Sequence, residues 1–386
     1  MGEVFLVALR LGLTSFGGPA AHLGTFRREY VERRAWLDDH AYGDLLALSQ
    51  SLPGPSSSQL GIAIGTRRAG IAGGVAAWLG FTLPSAILLV LLASFATTAD
   101  IADAGWVHGL KLAAVAVVAA ALLSMARTLT PDPPRLLVAA VACGAALVWV
   151  TPFSQVAIIA SGALIGWLAL APPPLRPTGP EPSTIPRRLG LAFLVVFAAL
   201  LLGLPIARSV ADSPVLAQLD AFYRAGALVF GGGHVVLPLL DATVVDPGWV
   251  TESAFLAGYG AAQAVPGPLF SFAAYLGAVS SVPPGGWLGG AIALVAIYLP
   301  SFLLVFGTLP VWDRIRGSER VRRALTGTNA AVVGLLAAAL WTPVWTSAVS
   351  RPGDVAVVGL GFALLLTGRV PPIAVVAMCA VLGELL

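Results

Sequence analysis

The chain has little charge, little cysteine and almost no lysine. Only 11% of its 386 residues are Asp, Glu, Lys or Arg, against about 25% in a soluble domain. Hydrophobic residues make up 58%, so the composition is that of an integral membrane protein. The only cysteines are Cys143 and Cys379. Each lies in an apolar run without Cys or His at ligand spacing, which argues against a disulfide framework or a metal site. Lys111 is the single lysine, and a net charge of +3 gives no reason to expect a nucleic-acid partner. There is no paired carboxylate on one helix face and no nucleophile beside a base. The glycines at 231–233 are not followed by the Lys-Ser/Thr of a phosphate loop. Neither an enzyme nor an ATP-driven pump is expected, and no cofactor. Residues 1–24 lack a basic start and carry Arg10 within the apolar run, so a removable leader is not expected.

Long apolar runs are what the chain does have. Stretches near the roughly 20 residues that cross a bilayer as helix occur at 71–95, 106–126, 135–150, 153–171, 189–207, 285–310, 324–348, 353–368 and 370–386. Four further runs, 3–23, 41–65, 218–240 and 252–280, are cut by Gly-Gly or Pro-Gly-Pro. The interruptions come in pairs. Arg10 and Phe16-Gly17-Gly18 recur as Arg224 and Phe230-Gly231-Gly232, 214 residues on. Gln50 and Pro53-Gly54-Pro55 recur as Gln263 and Pro266-Gly267-Pro268, 213 on. Leu83-Pro84-Ser85 matches Leu299-Pro300-Ser301, and Gly109 with Lys111 matches Gly327 with Asn329. Matched helix breakers in two halves point to a transporter built from repeats, with its site at the broken helices.

The division is therefore a repeat over 1–171, a Pro-rich linker with a connecting helix over 172–214, and a second repeat over 215–386. Arginine sets their orientation, because basic loops stay cytoplasmic. Loops 25–40 and 66–70 are arginine-rich and their counterparts 241–252 and 280–285 have no basic residue; 311–323 is arginine-rich and 96–105 is not. The repeats should be inverted. Nine apolar segments separate the two basic loops 25–40 and 311–323, and nine crossings would put those loops on opposite sides. If 41–65, 218–240 and 252–280 re-enter and leave on one side, six crossings remain and the loops agree. The fold expected is an all-α polytopic membrane protein of two inverted-topology repeats, with broken, re-entrant helices and roughly nine to thirteen membrane segments. Each half would open with two re-entrant elements followed by four spanning helices. A flat 189–207 segment, or one loop that breaks the charge rule, is the competing explanation.

Irregular backbone survives at membrane depth only where it is buried in protein or lines a cavity, and half-helix N-termini bind anions. The candidate substrate-binding set is Arg10, Gly17, Gly18, Gln50, Gly54, Ser56, Ser57, Ser58, Arg224, Gly231, Gly232, Gln263, Gly267 and Ser271. The second Pro-Gly-Pro is followed by Leu269 and Phe270, so the two copies differ in polarity. A plain kink between packed helices is the competing reading of these breaks. A charge inside a membrane segment is a functional hypothesis, and guanidinium forks suit oxyanions; snorkelling to an interface is the alternative for Arg10 and Arg224. His22 and His234 sit just past a break and suit either proton coupling or bonding of a free helix end. Lys111, Asn329 and Asp44 complete the secondary candidates; Ala257 stands opposite Asp44. Trp36 and Trp249 correspond and suit interfacial anchoring.

The segments Phe16-Gly-Gly-Pro-Ala-Ala-His-Leu-Gly24, Gln50-Ser-Leu-Pro-Gly-Pro-Ser-Ser-Ser-Gln59, Phe230-Gly-Gly-Gly-His-Val-Val-Leu-Pro238 and Gln263-Ala-Val-Pro-Gly-Pro-Leu-Phe-Ser271 resemble the chromate ion transporter family in its long, two-domain form. The resemblance covers nearly the whole chain. It implies a multi-pass protein of the bacterial or archaeal inner membrane that exports chromate, with sulfate as a close analogue, and confers chromate resistance. It also implies an ion gradient as driving force, with H+ a candidate coupling ion, and opposed halves. That family is usually described with about thirteen crossings, from which the re-entrant reading departs. The residues alone reach a secondary transporter for a small oxyanion. A sulfate or oxyanion uptake carrier and a passive anion channel stay open beside export, and a homodimer is compatible with this type of transporter.

Overall fold

A computed structural model describes residues 1–15, 18–98, 105–149, 154–172, 185–230, 236–312 and 318–385. Among these every regular element is helical. The first repeat contains α1 (Gly2–Thr14), α2 (Gly18–Arg27, continued by a wider turn at Arg28–Arg33), α3 (Asp39–Ser51), α4 (Ser56–Thr98), α5 (Gly105–Leu129), α6 (Pro133–Val148) and α7 (Ser154–Ala169). Helix α8 (Arg187–Val210) joins the halves. The second repeat contains α9 (Pro214–Leu228), α10 (Val236–Leu240, continued by Asp241–Val245), α11 (Glu252–Ala264), α12 (Phe272–Val279), α13 (Gly286–Thr308), α14 (Glu319–Ala339), α15 (Pro352–Leu366) and α16 (Pro372–Leu385). Ala69 and Gly70 leave helical dihedrals, so α4 is two helices end to end. With that division, every element of the first repeat has its counterpart in the second.

Local chemistry sets these boundaries alike in both halves. Asp38 caps α3 by accepting the Ala41 amide at 2.8 Å, and Thr251 caps α11 by accepting that of Ala254 at 3.3 Å. Leu52 and Val265, each preceding a proline, are extended and end those helices, because the proline ring disfavours α geometry in the residue before it. In α1 the buried residues are Val4, Val7, Ala8, Leu11 and Gly12, one stripe at helical period. Gly12 lets α1 approach the backbone of α4: a Cβ there would lie 2.6 Å from the Phe81 carbonyl oxygen. Gly226 does the same for α9 against the Ile297 carbonyl of α13.

The first two hairpins enter and leave by one face. Arg34, after α2, reaches Glu3 at the start of α1 at 3.1 Å; Arg68, at the end of the first part of α4, reaches Glu3 at 3.6 Å. Both guanidiniums lie over the Trp36 ring. So α1–α2 is one re-entrant hairpin, and α3 with the first part of α4 is another. In the second repeat, the Ser281 amide donates to the Trp249 carbonyl at 2.8 Å and Arg208 lies over the Trp249 ring. The α9–α10 and α11–α12 hairpins thus share the opposite face. The second part of α4 leaves the arginine-rich face; Trp106, at the start of α5, borders the same cavity as Trp249 and Ser281. α13 returns, and beyond it the Trp312 indole donates to Asp44 at 3.3 Å.

Helices α6, α7, α15 and α16, of 16, 16, 15 and 14 residues, are about 21–24 Å long and turn back in pairs. Between the basic loops 25–40 and 311–323, then, the second part of α4, α5, α8 and α13 cross singly and α6–α7 as a pair, which leaves both loops on one face. Helix α8 lies at the periphery, with Gly190 its one buried residue. The chain is an all-α polytopic membrane protein.

Candidate functional site at the hairpin tips

The four hairpin tips meet inside the bundle, and they meet crosswise. The Gly54 amide donates to the Val229 carbonyl at 2.6 Å, and the Gly267 amide donates to the Ser15 carbonyl at 3.0 Å. The second tip of each repeat is thus bonded to the first tip of the other. Gly54 and Gly267 have φ of +128° and +111°, where a side chain is strained. A Cβ on Gly54 would also lie 2.7 Å from Ser301 Oγ, and one on Gly267 2.8 Å from Ser85 Oγ. The Leu-Pro-Ser motifs, visible in the sequence only as repeats, are the walls against which the Pro-Gly-Pro turns of the opposite half are seated.

Polar side chains line this junction. The His22 ring bridges Ser57 Oγ at 3.4 Å (through Nδ1) and the Ser15 carbonyl at 3.3 Å (through Nε2), with Phe81 edge-on. Gln59 Nε2 donates to the Pro53 carbonyl at 2.6 Å and to Ser301 Oγ at 3.5 Å. Ser58 Oγ lies 3.4 Å from the Tyr298 hydroxyl. Ser57, Ser58, Gln59, Ser85 and Ser301 are all buried. Three buried groups here have no hydrogen-bond partner among the described residues: the Ser15 hydroxyl, the Trp78 indole nitrogen and Gln59 Oε1; the Thr82 hydroxyl pairs with Tyr298 and the Gln263 amide with Tyr259. Buried polar atoms are normally satisfied, so these groups, two donors and one acceptor, are the ones near the junction left to bond a guest.

The expected residues divide sharply. Gly54, Ser57, Ser58, Gly267 and His22 come together. Ser56 opens the helix after the first Pro-Gly-Pro turn, and Gln263 lies half-buried before the second. Ser271 is buried but turns its hydroxyl onto the Pro268 carbonyl at 2.5 Å. Gly18 begins α2; Gly17, Gly231, Gly232 and His234 lie outside the described residues.

The other expected residues lie apart from the junction. Arg10 stands on the exposed face of α1 with Leu6 and Leu13, away from the stripe that packs inward, because its spacing to Gly17 does not select that face. Gln50 is on the exposed side of α3. Asp44 is buried but bonds Trp312 near the arginine-rich face. Lys111 and Asn329 lie half-buried within three turns of the starts of α5 and α14, which begin at opposite faces.

Arg224 is placed differently from Arg10. Its Nη2 donates to Asp220 Oδ2 at 2.6 Å, one turn back on α9. Asp220 went unnoticed in the sequence because the equivalent position in the first repeat is Leu6. The residues that sequence reasoning missed, Ser15, Thr82, Trp78 and Tyr298, sit in unbroken stretches or at a break without a polar motif. The doubled Leu-Pro-Ser was the signal that could have led to Thr82 and Tyr298.

Inverted repeats whose broken, polar tips converge within an apolar bundle define the architecture of a membrane transporter. Comparison with known proteins gives the particular family. The chromate transporter family model matches residues 2–167 and again 216–384, and the chain belongs to that family. A chromate transport protein of Pseudomonas aeruginosa is 29% identical over 357 residues, covering 87% of this chain and 79% of the relative. One of Cupriavidus metallidurans is 28% identical over 348 residues, covering 88% and 81%. An uncharacterized transporter of Methanocaldococcus jannaschii is 26% identical over 351 residues, covering 87% and 82%. No solved structure matches the chain.

Proposed function

We propose that this protein carries chromate across the inner membrane of a bacterium or archaeon, with the four-tip junction as its binding site. The crossed pair of hydrogen bonds, Gly54 to Val229 and Gly267 to Ser15, carries this reading. It brings half-helix N-termini from both faces to one point, where their amides favour a negative guest. The contacts described around it are neutral: amides, hydroxyls, an imidazole and a phenol. The unpartnered donors of Ser15 and Trp78 suit an oxyanion. The names of the relatives in Pseudomonas and Cupriavidus supply chromate as the substrate. Sulfate, of the same tetrahedral shape and charge, is the expected competitor. The direction is outward, driven by an ion gradient with H+ as the coupling ion, and the consequence is chromate resistance. The repeats 1–171 and 215–386 act as the two moving units about the junction.

The test is flux of labelled chromate and sulfate into proteoliposomes, with and without a proton gradient. Saturable flux that follows the gradient supports the carrier. Fast, non-saturating flux that follows voltage would mark a channel, and sulfate flux untouched by chromate would replace the substrate.

A further inference from the structure

A second charged feature lies between the junction and the face opposite the arginine-rich loops. Arg208, near the end of α8, and Arg224, on α9, both reach the same carboxylate oxygen, Asp220 Oδ2, at 3.4 and 2.6 Å. Asp220 is fully buried, and its Oδ1 has no partner among the described residues. Arg224 Nε is likewise buried without one. Two guanidiniums therefore share half of one carboxylate, and donors are left over. Both line a cavity of 380 Å³ with Gln155, Thr243 and Asp246. At about 30 Å³ per water, that volume holds a tetrahedral anion with part of its hydration shell. Arg224 is five residues before Val229, about 7–8 Å along the helix from the carbonyl that accepts the Gly54 amide.

We propose that Arg208 and Arg224 form an outer oxyanion-binding site, distinct from the junction, that chromate or sulfate occupies on its path between that face and the hairpin tips. The inference rests on the oxyanion reading above. Guanidinium forks offer paired donors to such an anion. Asp220 fixes both arginines and leaves the trio a net positive charge. Asp246, exposed at the same cavity, opposes the guest and weakens the site. Only Arg208 ties α8 to α9, where it also lies over the Trp249 ring; Arg224 pairs with Asp220 within α9, and both guanidiniums still border the cavity.

The experiment is equilibrium binding of radiolabelled sulfate to the purified full chain in detergent, beside flux in proteoliposomes. Arg208 is the clean probe, since truncating Arg224 would strip the buried Asp220 of its closer partner. Arg208→Gln should weaken sulfate binding by about tenfold or more and raise the half-saturating concentration for flux, while Arg208→Lys recovers part of the loss. Asp246→Asn should tighten binding. A protein in which Arg208→Gln and Asp246→Asn both fold and bind within twofold of the parent, while the parent carries oxyanion, overturns the outer site and spares the transport reading. A parent chain that neither binds nor carries sulfate or chromate overturns both. If Arg208→Gln lowers only thermal stability and leaves binding intact, the arginine is a structural tie and the proposal falls.

Discussion

Replacing Gly54 by alanine tests the junction most directly. Two separate costs arise. The φ of +128° lies where an L side chain is strained, at about 1–3 kcal/mol. The new Cβ would also press on Gln59 Nε2 and sit 2.7 Å from Ser301 Oγ, and overpacking of this kind costs about 1–3 kcal/mol. Together they reach about 2–6 kcal/mol, a large part of the roughly 5–15 kcal/mol that holds a domain folded. Gly70 is the internal control: its φ is +67° but a Cβ there meets nothing within 4 Å, so Gly70→Ala carries the strain alone. Thermal midpoints of the two variants in matched detergent, and their chromate flux, separate the costs. Gly54→Ala should melt lower and lose flux, while Gly70→Ala keeps most of both. Adding Ser301→Ala to Gly54→Ala should return part of the crowding cost and none of the backbone strain. Equal midpoints for Gly54→Ala and Gly70→Ala would refute the claim that the tip is packed against the opposite half.

Three further outcomes follow from the same geometry. Single cysteines introduced at Arg34, Arg68 and Arg320 should react with a membrane-impermeant reagent from one side, and cysteines at Trp249 and Ser281 from the other; mixed sidedness within either group breaks the hairpin assignment. Trp312→Phe removes the indole donor to Asp44 and should cost about 0.5–1.5 kcal/mol of stability, measured as a shift against the parent, with Asp44→Asn milder because its amide oxygen still accepts. At the arginine-rich face, partial burial pushes the Glu29 carboxyl up, but Arg34 and Arg33 pull it further down, to below the ordinary carboxylate value. That pairing stabilises the first hairpin above the unfolded carboxylate pKa, and the contribution is lost as pH falls through the lowered folded value. Glu29→Gln should therefore flatten the acid limb of the stability profile, and an unchanged limb contradicts the pairing.

The sequence made the topology legible because charge and breakers act locally. Arginines at Arg27–Arg34 and at Arg320–Arg323 mark one face whatever the packing, and a proline ends the helix before it wherever it stands. Side-chain direction was another matter. Arg10 and Arg224 are equivalent in register, yet one stands on an open face of α1 while the other has Asp220 one turn away and α8 beside it. The difference comes from Asp220, where the first repeat has Leu6, and from α8, which has no counterpart in the first repeat and so could not be inferred from the symmetry. The crossed bonding of the tips was also out of reach, because nothing local distinguishes a tip that touches its own half from one that touches the other.

That crossing constrains how the halves can move. Gly54–Val229 and Gly267–Ser15 join the repeats at the point where the four tips converge, so a rotation about this point preserves both bonds while the outer ends separate. The two faces already differ. On the arginine-rich side Trp312 closes onto Asp44; on the other, Ala257 replaces that acid and lines a 280 Å³ cavity between Leu92, Trp106, Trp249 and Tyr275. In an inverted repeat the second access state is the first with the roles of the halves exchanged. The asymmetry of Asp44 and Ala257 then means that the exchange is incomplete: one face has a polar latch and the other an apolar gap. Under the proposed carrier reading the two gates are held with unequal strength, and removing the Asp44–Trp312 bond should bias the protein toward opening at the arginine-rich face.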